Sequence, residues 1–245
     1  MKILLAPSET KSTGGSNKFT FSSLLFPELT SLRRHIVNKY SNLIRENDDI
    51  HLSEFFGLKN INEIAKYKQD IMNLPAKKAI LRYTGVAFDY LDYNALSQKA
   101  QQYIDQNLII FSNLFGALRA GDMIPDYRLQ QGKSIYDIKP DLYYKKDLQQ
   151  YLDRYLDGEE ILDIRAGYYN KYYKPGLPYT TLKFIKNGKV VSHWAKAYRG
   201  IILREISKAG IATLDGFMAL PIKGLQIKEI QTKKNKTEII YSIND

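Results

Sequence analysis

Residues 108–132 read LIIFSNLFGALRAGDMIPDYRLQQG, and the opening of that stretch decides the fold. The run 108–111 (LIIF) is continuous and apolar, as a strand buried on both faces should be. Two other runs share this character, 2–6 (KILLA) and 160–164 (EILDI). Each passes at once into a polar segment that carries Lys or Arg. If the three strands lie parallel in one sheet, their carboxyl ends sit side by side, where open α/β sheets place ligands.

Within the stretch, Ser112, Asn113, Gly116, Arg119, Asp122, Tyr127 and Arg128 are threaded through Leu114, Leu118 and Ile124. A guanidinium keeps its proton, so near a core it must find an acceptor. Asp122 is the local candidate. Two readings stay open: a structural Arg–Asp network tying a loop to the sheet, or an anion-binding lip at a strand's carboxyl end.

Outward from this stretch, 26–45 carries Leu29, Leu32, Ile36, Val37, Tyr40, Leu43 and Ile44 at near-helical spacing. Its expected outward face holds Arg33, Arg34, Lys39 and Arg45. In 52–70, Ser53 caps a short helix ending near Gly57, and Asn60 or Asn62 starts a second one. Helix, glycine turn and helix in that order is similar to a helix-hairpin-helix, which offers backbone N–H groups to a DNA phosphate. Only Gly57 stands where the usual hairpin has two glycines, so a plain pair of packed helices is the other reading. Lys59, Lys66 and Lys68 are its candidate DNA contacts.

The run 79–93 is broken at Tyr83, Thr84 and Gly85, and 94–107 reads as a polar helix. A further amphipathic helix is expected over 141–157. Asn187-Gly188 marks a tight hairpin between 180–185 and 189–194, followed by a helix over 198–209. A last hairpin, 225–231 with 237–243, turns at Lys233, Lys234, Asn235 and Lys236. The expected fold is α+β: a single domain over 1–245, a mixed β-sheet with surrounding helices, and a helix-hairpin-helix-like insertion at 52–70.

The segment FGALRAGDMIPDYRL resembles the hallmark of the YaaA family, bacterial proteins associated with peroxide stress. Gly116, Arg119, Asp122, Pro125, Tyr127, Arg128 and Leu129 fill its positions, while Ala120 stands where many members carry proline. The resemblance extends to Leu5, Pro7, Ser8, Glu9, Thr10 and Lys11, then to Tyr83 and Gly85 with Leu91 and Asp92. It continues at Asp163, Arg165 and Tyr168, and at His193, Lys196, Arg199, Gly200 and Arg204. It implies a cytosolic peroxide-stress protein tied to limiting free iron, and so hydroxyl-radical damage to DNA, with direct DNA binding proposed for the family.

Composition agrees with a polyanion-binding role without demanding it. Of 245 residues, Lys+Arg number 36 and Asp+Glu 26, leaving +10, a balance that favours nucleic acid or phosphorylated ligands. An AT-rich genome's bias to lysine is the plainer explanation. There is no cysteine and there are only three histidines, His35, His51 and His193, so no metal site and no cofactor are expected, and any effect on iron should be indirect. No run reaches the ~18 apolar residues of a membrane span, and the amino terminus lacks a signal sequence, so the expected location is cytoplasmic.

On the parallel-sheet argument, Lys11, Arg119, Arg128 and Arg165 converge on one cleft, with Ser8, Thr84 and Gly85 beside them. Tyr83, Tyr127 and Tyr168 form its walls, and 193–204 its far side. Glu9 and Asp122 are candidate acids or bases, or salt-bridge partners. His193 alone is a candidate for proton transfer. Two functions follow. One is a stress protein that binds duplex DNA without sequence preference. The other is an enzyme acting on a nucleotide or other phosphate-bearing small molecule.

Overall fold

The computed structural model describes every residue except Asn17, Ser192 and Asp245. The three apolar runs pair as parallel neighbours. Strand β1 (Lys2–Leu5) lies between β3 (Leu108–Ser112) and β6 (Ile161–Asp163), with Ile3 opposite both Leu108 and Leu162. All five residues of β3 are buried, as its unbroken apolar composition requires.

The sheet continues through β7 (Tyr179–Lys186) to β10 (Lys236–Ile243), both parallel to β6. Antiparallel strands close its edges: β4 (Gly116–Arg119) beside β3, and β9 (Leu225–Lys233) beside β10. A two-residue β8 (Lys189–Val190) pairs with β7. Separately, β2 (Lys77–Lys78) pairs with β5 (Met123–Ile124). The sheet is therefore mixed, and with the helices around it the fold is α+β.

The helices are α1 (Thr30–Glu46), α2 (Asp49–Phe56), α3 (Ile61–Tyr67), α4 (Ala79–Arg82), α5 (Val86–Leu91), α6 (Gln98–Asn107), α7 (Pro140–Tyr155), α8 (His193–Ala209) and α9 (Leu214–Ala219). In α1 the stripe Ile36, Val37, Tyr40 and Ile44 is buried, as its spacing predicts. Arg33, expected on the outward face, is fully buried instead. Its guanidinium donates to the carbonyls of Phe115, Phe26, Leu25 and Ala117, which satisfies it without a carboxylate.

In the 52–70 region, α2 starts at Asp49, capped by Asp48, rather than at Ser53. Gly57 ends it in the left-handed conformation (φ 62°), and Asn60 caps α3. A helix pair joined by a glycine turn is thus present.

The hairpin around Asn187 (φ 50°) and Gly188 (φ 76°) has the expected two left-handed residues. Its second strand is shorter than the expected 189–194, because α8 already begins at His193. Ala195, Tyr198 and Ile202 recur at helical spacing and are buried, so a helix hides what an extended chain would expose. Gly200, in α8, meets α5 backbone to backbone: a Cβ there would collide with Ala87 O and approach Leu91 N at 2.9 Å.

Gly200→Ala should therefore force α5 and α8 apart and cost about 1–3 kcal/mol, read as a lowered midpoint in thermal unfolding. An unchanged midpoint would mean that the crossing relaxes freely.

Candidate functional site

The polar exits of β1, β3 and β6 lie at one end of the sheet, as their parallel register dictates. Beyond β1, Lys11 forms an isolated antiparallel bridge with Tyr83, and Thr84 N donates to Thr10 O. The hydroxyls of Ser8 and Thr10 are 3.1 Å apart, and Thr10 Oγ1 donates to Thr84 O. Gly85 takes φ 101°, a conformation that side chains rarely adopt, and a Cβ there would lie 3.2 Å from Ser8 Oγ. Local backbone geometry therefore explains both Gly85 and the hydroxyls that face it.

Lys11 is the unusual member. It is 9% exposed, and its ammonium lies 4.0 Å from the centre of the Tyr127 ring and 5.2 Å from that of Tyr83. Nζ donates to Glu9 O at 3.2 Å and Ser8 O at 3.4 Å. No carboxylate among the described residues stands within ion-pairing distance of it. Burial is the main influence on its titration and opposes the charge. Asp126 and Glu9 oppose that shift, Arg128 and Arg82 reinforce it, and Lys11 is lowered to about 7.

Around it the tyrosines form a hydrogen-bonded chain. Tyr83 and Tyr127 hydroxyls are 2.9 Å apart, and Tyr127 reaches Ser112 Oγ at 2.8 Å. Burial pushes the Tyr127 hydroxyl up to about 12 and Tyr83 well above its usual value, so both stay protonated. Ser112 stands at the carboxyl end of β3, where its Oγ accepts from the backbone N–H groups of Leu114 and Phe115. On the far wall Tyr169 donates to Asn113, and Tyr168 donates to Asp141. Lys171 Nζ lies 4.8 Å from the centre of the Tyr168 ring.

Arg128 is held through its backbone and one nitrogen. Its N–H donates to the Tyr40 hydroxyl, which itself donates to Arg128 O, and Nε donates to Phe56 O at 2.7 Å. Its two Nη groups have no acceptor among the described residues. Glu9 is half-buried and accepts from Gln131 N, which joins the exit of β1 to the segment after Arg128.

Other expected site residues are engaged elsewhere. Arg119 and Asp122 do not belong to this cluster, because β4 runs back antiparallel and pairs Arg119 with Ile109, at the amino end of β3. Asp122 accepts from Leu25 N and Arg119 N and pairs with Arg119 Nε at 2.9 Å. For these two the structural network is the reading that holds.

Arg165 lies at the expected end but is fully occupied. It makes a two-pronged pair with Asp163 (2.6 and 2.8 Å) and donates to the carbonyls of Tyr169 and Tyr173. In α8, Arg204 pairs with Asp92 at 3.1 Å, and Gly200 serves helix crossing rather than ligand approach. His193 and Lys196 are exposed. Arg199 is half-buried, with burial lowering its pKa and Asp163 opposing that, and it makes no hydrogen bond or ion pair among the described residues.

The candidate lysines of the helix pair have different surroundings. Lys66 pairs with Asp126 at 3.1 Å and Lys68 with Asp49 at 2.8 Å, leaving Lys59 exposed and with no carboxylate partner among the described residues. Gly57 answers to its left-handed φ of 62°, since the Gln130 amide that a Cβ would meet is the far end of a flexible side chain.

Sequence reasoning names Ser112 and Asn113 only as polar members of the stretch and misses Arg82, Asp126 and Asp141. The buried Arg82 donates to the carbonyls of Ser12, Pro75 and Ile124 and so fixes the strand that presents Lys11. Only long-range pairing brings these residues to the site, and no local spacing signals it.

The fold is thus α+β, with Lys11, Tyr83, Tyr127 and Ser112 in contact at the carboxyl ends of parallel strands. The chain belongs to the peroxide stress protein YaaA family, whose model matches residues 1–231. It is 44% identical over 246 residues to the uncharacterized protein Cj0984 of Campylobacter jejuni, covering 100% of both chains. UPF0246 protein SCO2297 of Streptomyces coelicolor is 30% identical over 222 residues, covering 86% of this chain and 85% of its own. UPF0246 protein FN1762 of Fusobacterium nucleatum is 29% identical over 247 residues, with 96% and 97% covered.

Two outcomes check this geometry. Asp163→Asn leaves Arg165 buried without its anion and should cost about 3–5 kcal/mol in denaturant unfolding. For Lys11 the folded pKa lies below the unfolded one, so the unfolded chain binds more protons as pH rises above about 7. The stability of the parent relative to Lys11→Met should then rise by up to about 1.4 kcal/mol per pH unit until free lysine titrates. A pH-independent difference would place the ammonium in water.

Proposed function

We propose that this chain serves the peroxide-stress response by binding duplex DNA without sequence preference, limiting iron-dependent damage indirectly. Family membership supports the stress role. The observation that carries the DNA reading is the excess of ten positive charges together with cations that have no carboxylate partner among the described residues. Among these, Lys171 follows β6, Lys196 opens α8, and Lys59 stands at the turn of the helix pair. Such charges bind phosphates by releasing condensed counterions, which needs no base contact. Because Lys66 and Lys68 are ion-paired, the helix pair would act through Lys59 and the backbone of its turn.

The measurement is a gel-shift series across salt on several unrelated duplexes. The expected result is one affinity for all sequences, with log K falling linearly in log salt by about 0.9 per phosphate neutralised. Lys59→Ala and Lys196→Ala should each reduce that slope by about one unit. No retardation even at low salt would end this reading.

A second reading is favoured by Lys11 and by the Nη groups of Arg128. A buried lysine without a carboxylate, beside a guanidinium with free donors, suits an enzyme acting on a phosphorylated small molecule. Arg128→Ala and Lys59→Ala, compared for stress protection and duplex affinity, separate the two. Loss of protection from Arg128→Ala alone, with DNA affinity kept, would select the enzyme.

A further inference from the structure

We propose that Lys11 is an amine nucleophile that captures an aldehyde carried on a phosphate ester, with Arg128 as the phosphate contact. The inference rests on the second reading, in which the strand ends hold a phosphate-bearing molecule.

Four features of the geometry carry it. First, Lys11 is 9% exposed yet has no carboxylate partner among the described residues, unlike Lys66, Lys68 and Lys78, which pair with Asp126, Asp49 and Asp105. Second, the backbone offers Nζ two carbonyls, those of Ser8 and Glu9, which match the two N–H groups of a neutral amine. Third, the rings of Tyr83 and Tyr127 flank the amine and exclude water that would hydrolyse an imine. Fourth, Arg128 acts electrostatically on Lys11 and retains unused Nη donors, the fork that suits a phosphate.

The ring faces favour the ammonium, whereas burial disfavours it, and burial is the larger influence. The charged and titratable groups around the amine are Asp126, Arg128, Glu9, Arg82, Tyr83 and Tyr127. With Lys11 lowered to about 7, a large share of it is the free amine at neutral pH. An ordinary lysine at about pH 7 keeps roughly one amine in a few thousand unprotonated.

The step balances without any further reagent. The Nζ electron pair forms a bond to the carbonyl carbon, giving a carbinolamine. Both amine hydrogens end on the carbonyl oxygen, which departs as water and leaves a C=N bond to Lys11. Two sources share this chemistry: a free sugar phosphate, and the ring-opened sugar of an abasic nucleotide in DNA.

The test treats the full chain near neutral pH with pyridoxal phosphate or with a duplex holding one abasic site. Borohydride is added in each arm, and the adduct is mapped by peptide mass spectrometry. Hydride from borohydride reduces the imine to a stable secondary amine. The expected result is modification of Lys11 at least about tenfold faster than exposed lysines such as Lys18 or Lys189, following their neutral fractions. Arg128→Ala should weaken capture of pyridoxal phosphate, and added inorganic phosphate should compete.

Capture of pyridoxal phosphate alone assigns a small-molecule source, and capture of the abasic duplex assigns the nucleic acid. Adducts spread over exposed lysines with Lys11 unmodified would overturn the proposal. Mapping on the unaltered chain decides this without any variant at Lys11. Competition by phosphate without any Lys11 adduct would leave the phosphate-site reading standing while this inference fails. Retardation of undamaged duplex in the same samples reports separately on DNA binding.

Discussion

The structure depends on β1 being paired in parallel on both sides. Ile3 faces Leu108 on one flank and Leu162 on the other, and Ile3, Leu108 and Leu162 are all buried. Parallel strands all leave the core in the same direction. The chain after β1, β3 and β6 therefore turns polar at one end of the sheet, and side chains more than a hundred residues apart become neighbours. Burial of Ile3, Leu4 and Leu5 on both faces holds β1 between its two partners, and with it the place of the site.

Buried arginines do the joining. Arg33 and Arg82 give their donors to backbone carbonyls of separate loops, and Arg165 combines two carbonyls with Asp163. A guanidinium must be saturated when it leaves water, and its planar fork reaches several acceptors at once. These three cations are thereby consumed by the fold. Arg128, Arg199 and Lys11 are buried or half-buried cations that pair with no carboxylate among the described residues. Where the charge stands matters more than the count of +10.

Much of the fold was legible in the sequence because apolar runs state their burial directly. The parallel trio, the helix over α1, the Asn187-Gly188 turn and the glycine-turned helix pair all follow from local composition. What local composition cannot state is direction. The segment 108–132 reverses between Ser112 and Gly116, so Arg119 returns to the amino end of β3 while Tyr127 and Arg128 reach the carboxyl end. Nine residues of sequence separation hide opposite ends of a sheet. Arg33 was misplaced for a related reason: a charged residue on a helix reads as solvated unless the carbonyls that receive it are known. The start of α8 at His193 was hidden by the strand-like residues before it.

The central claim is that parallel exits gather a site where Arg128 keeps its Nη donors for an anion, while Arg165 is spent on Asp163 and two carbonyls and Arg119 stands at the other end of β3. Its most direct measurement is a crystal of the full chain soaked in tungstate, a tetrahedral dianion located by its anomalous scattering. The account predicts a peak against the Arg128 guanidinium at the carboxyl end of β1 and β3. Peaks confined to Arg119, or to the lysine turn at Lys233 and Lys234, would contradict it.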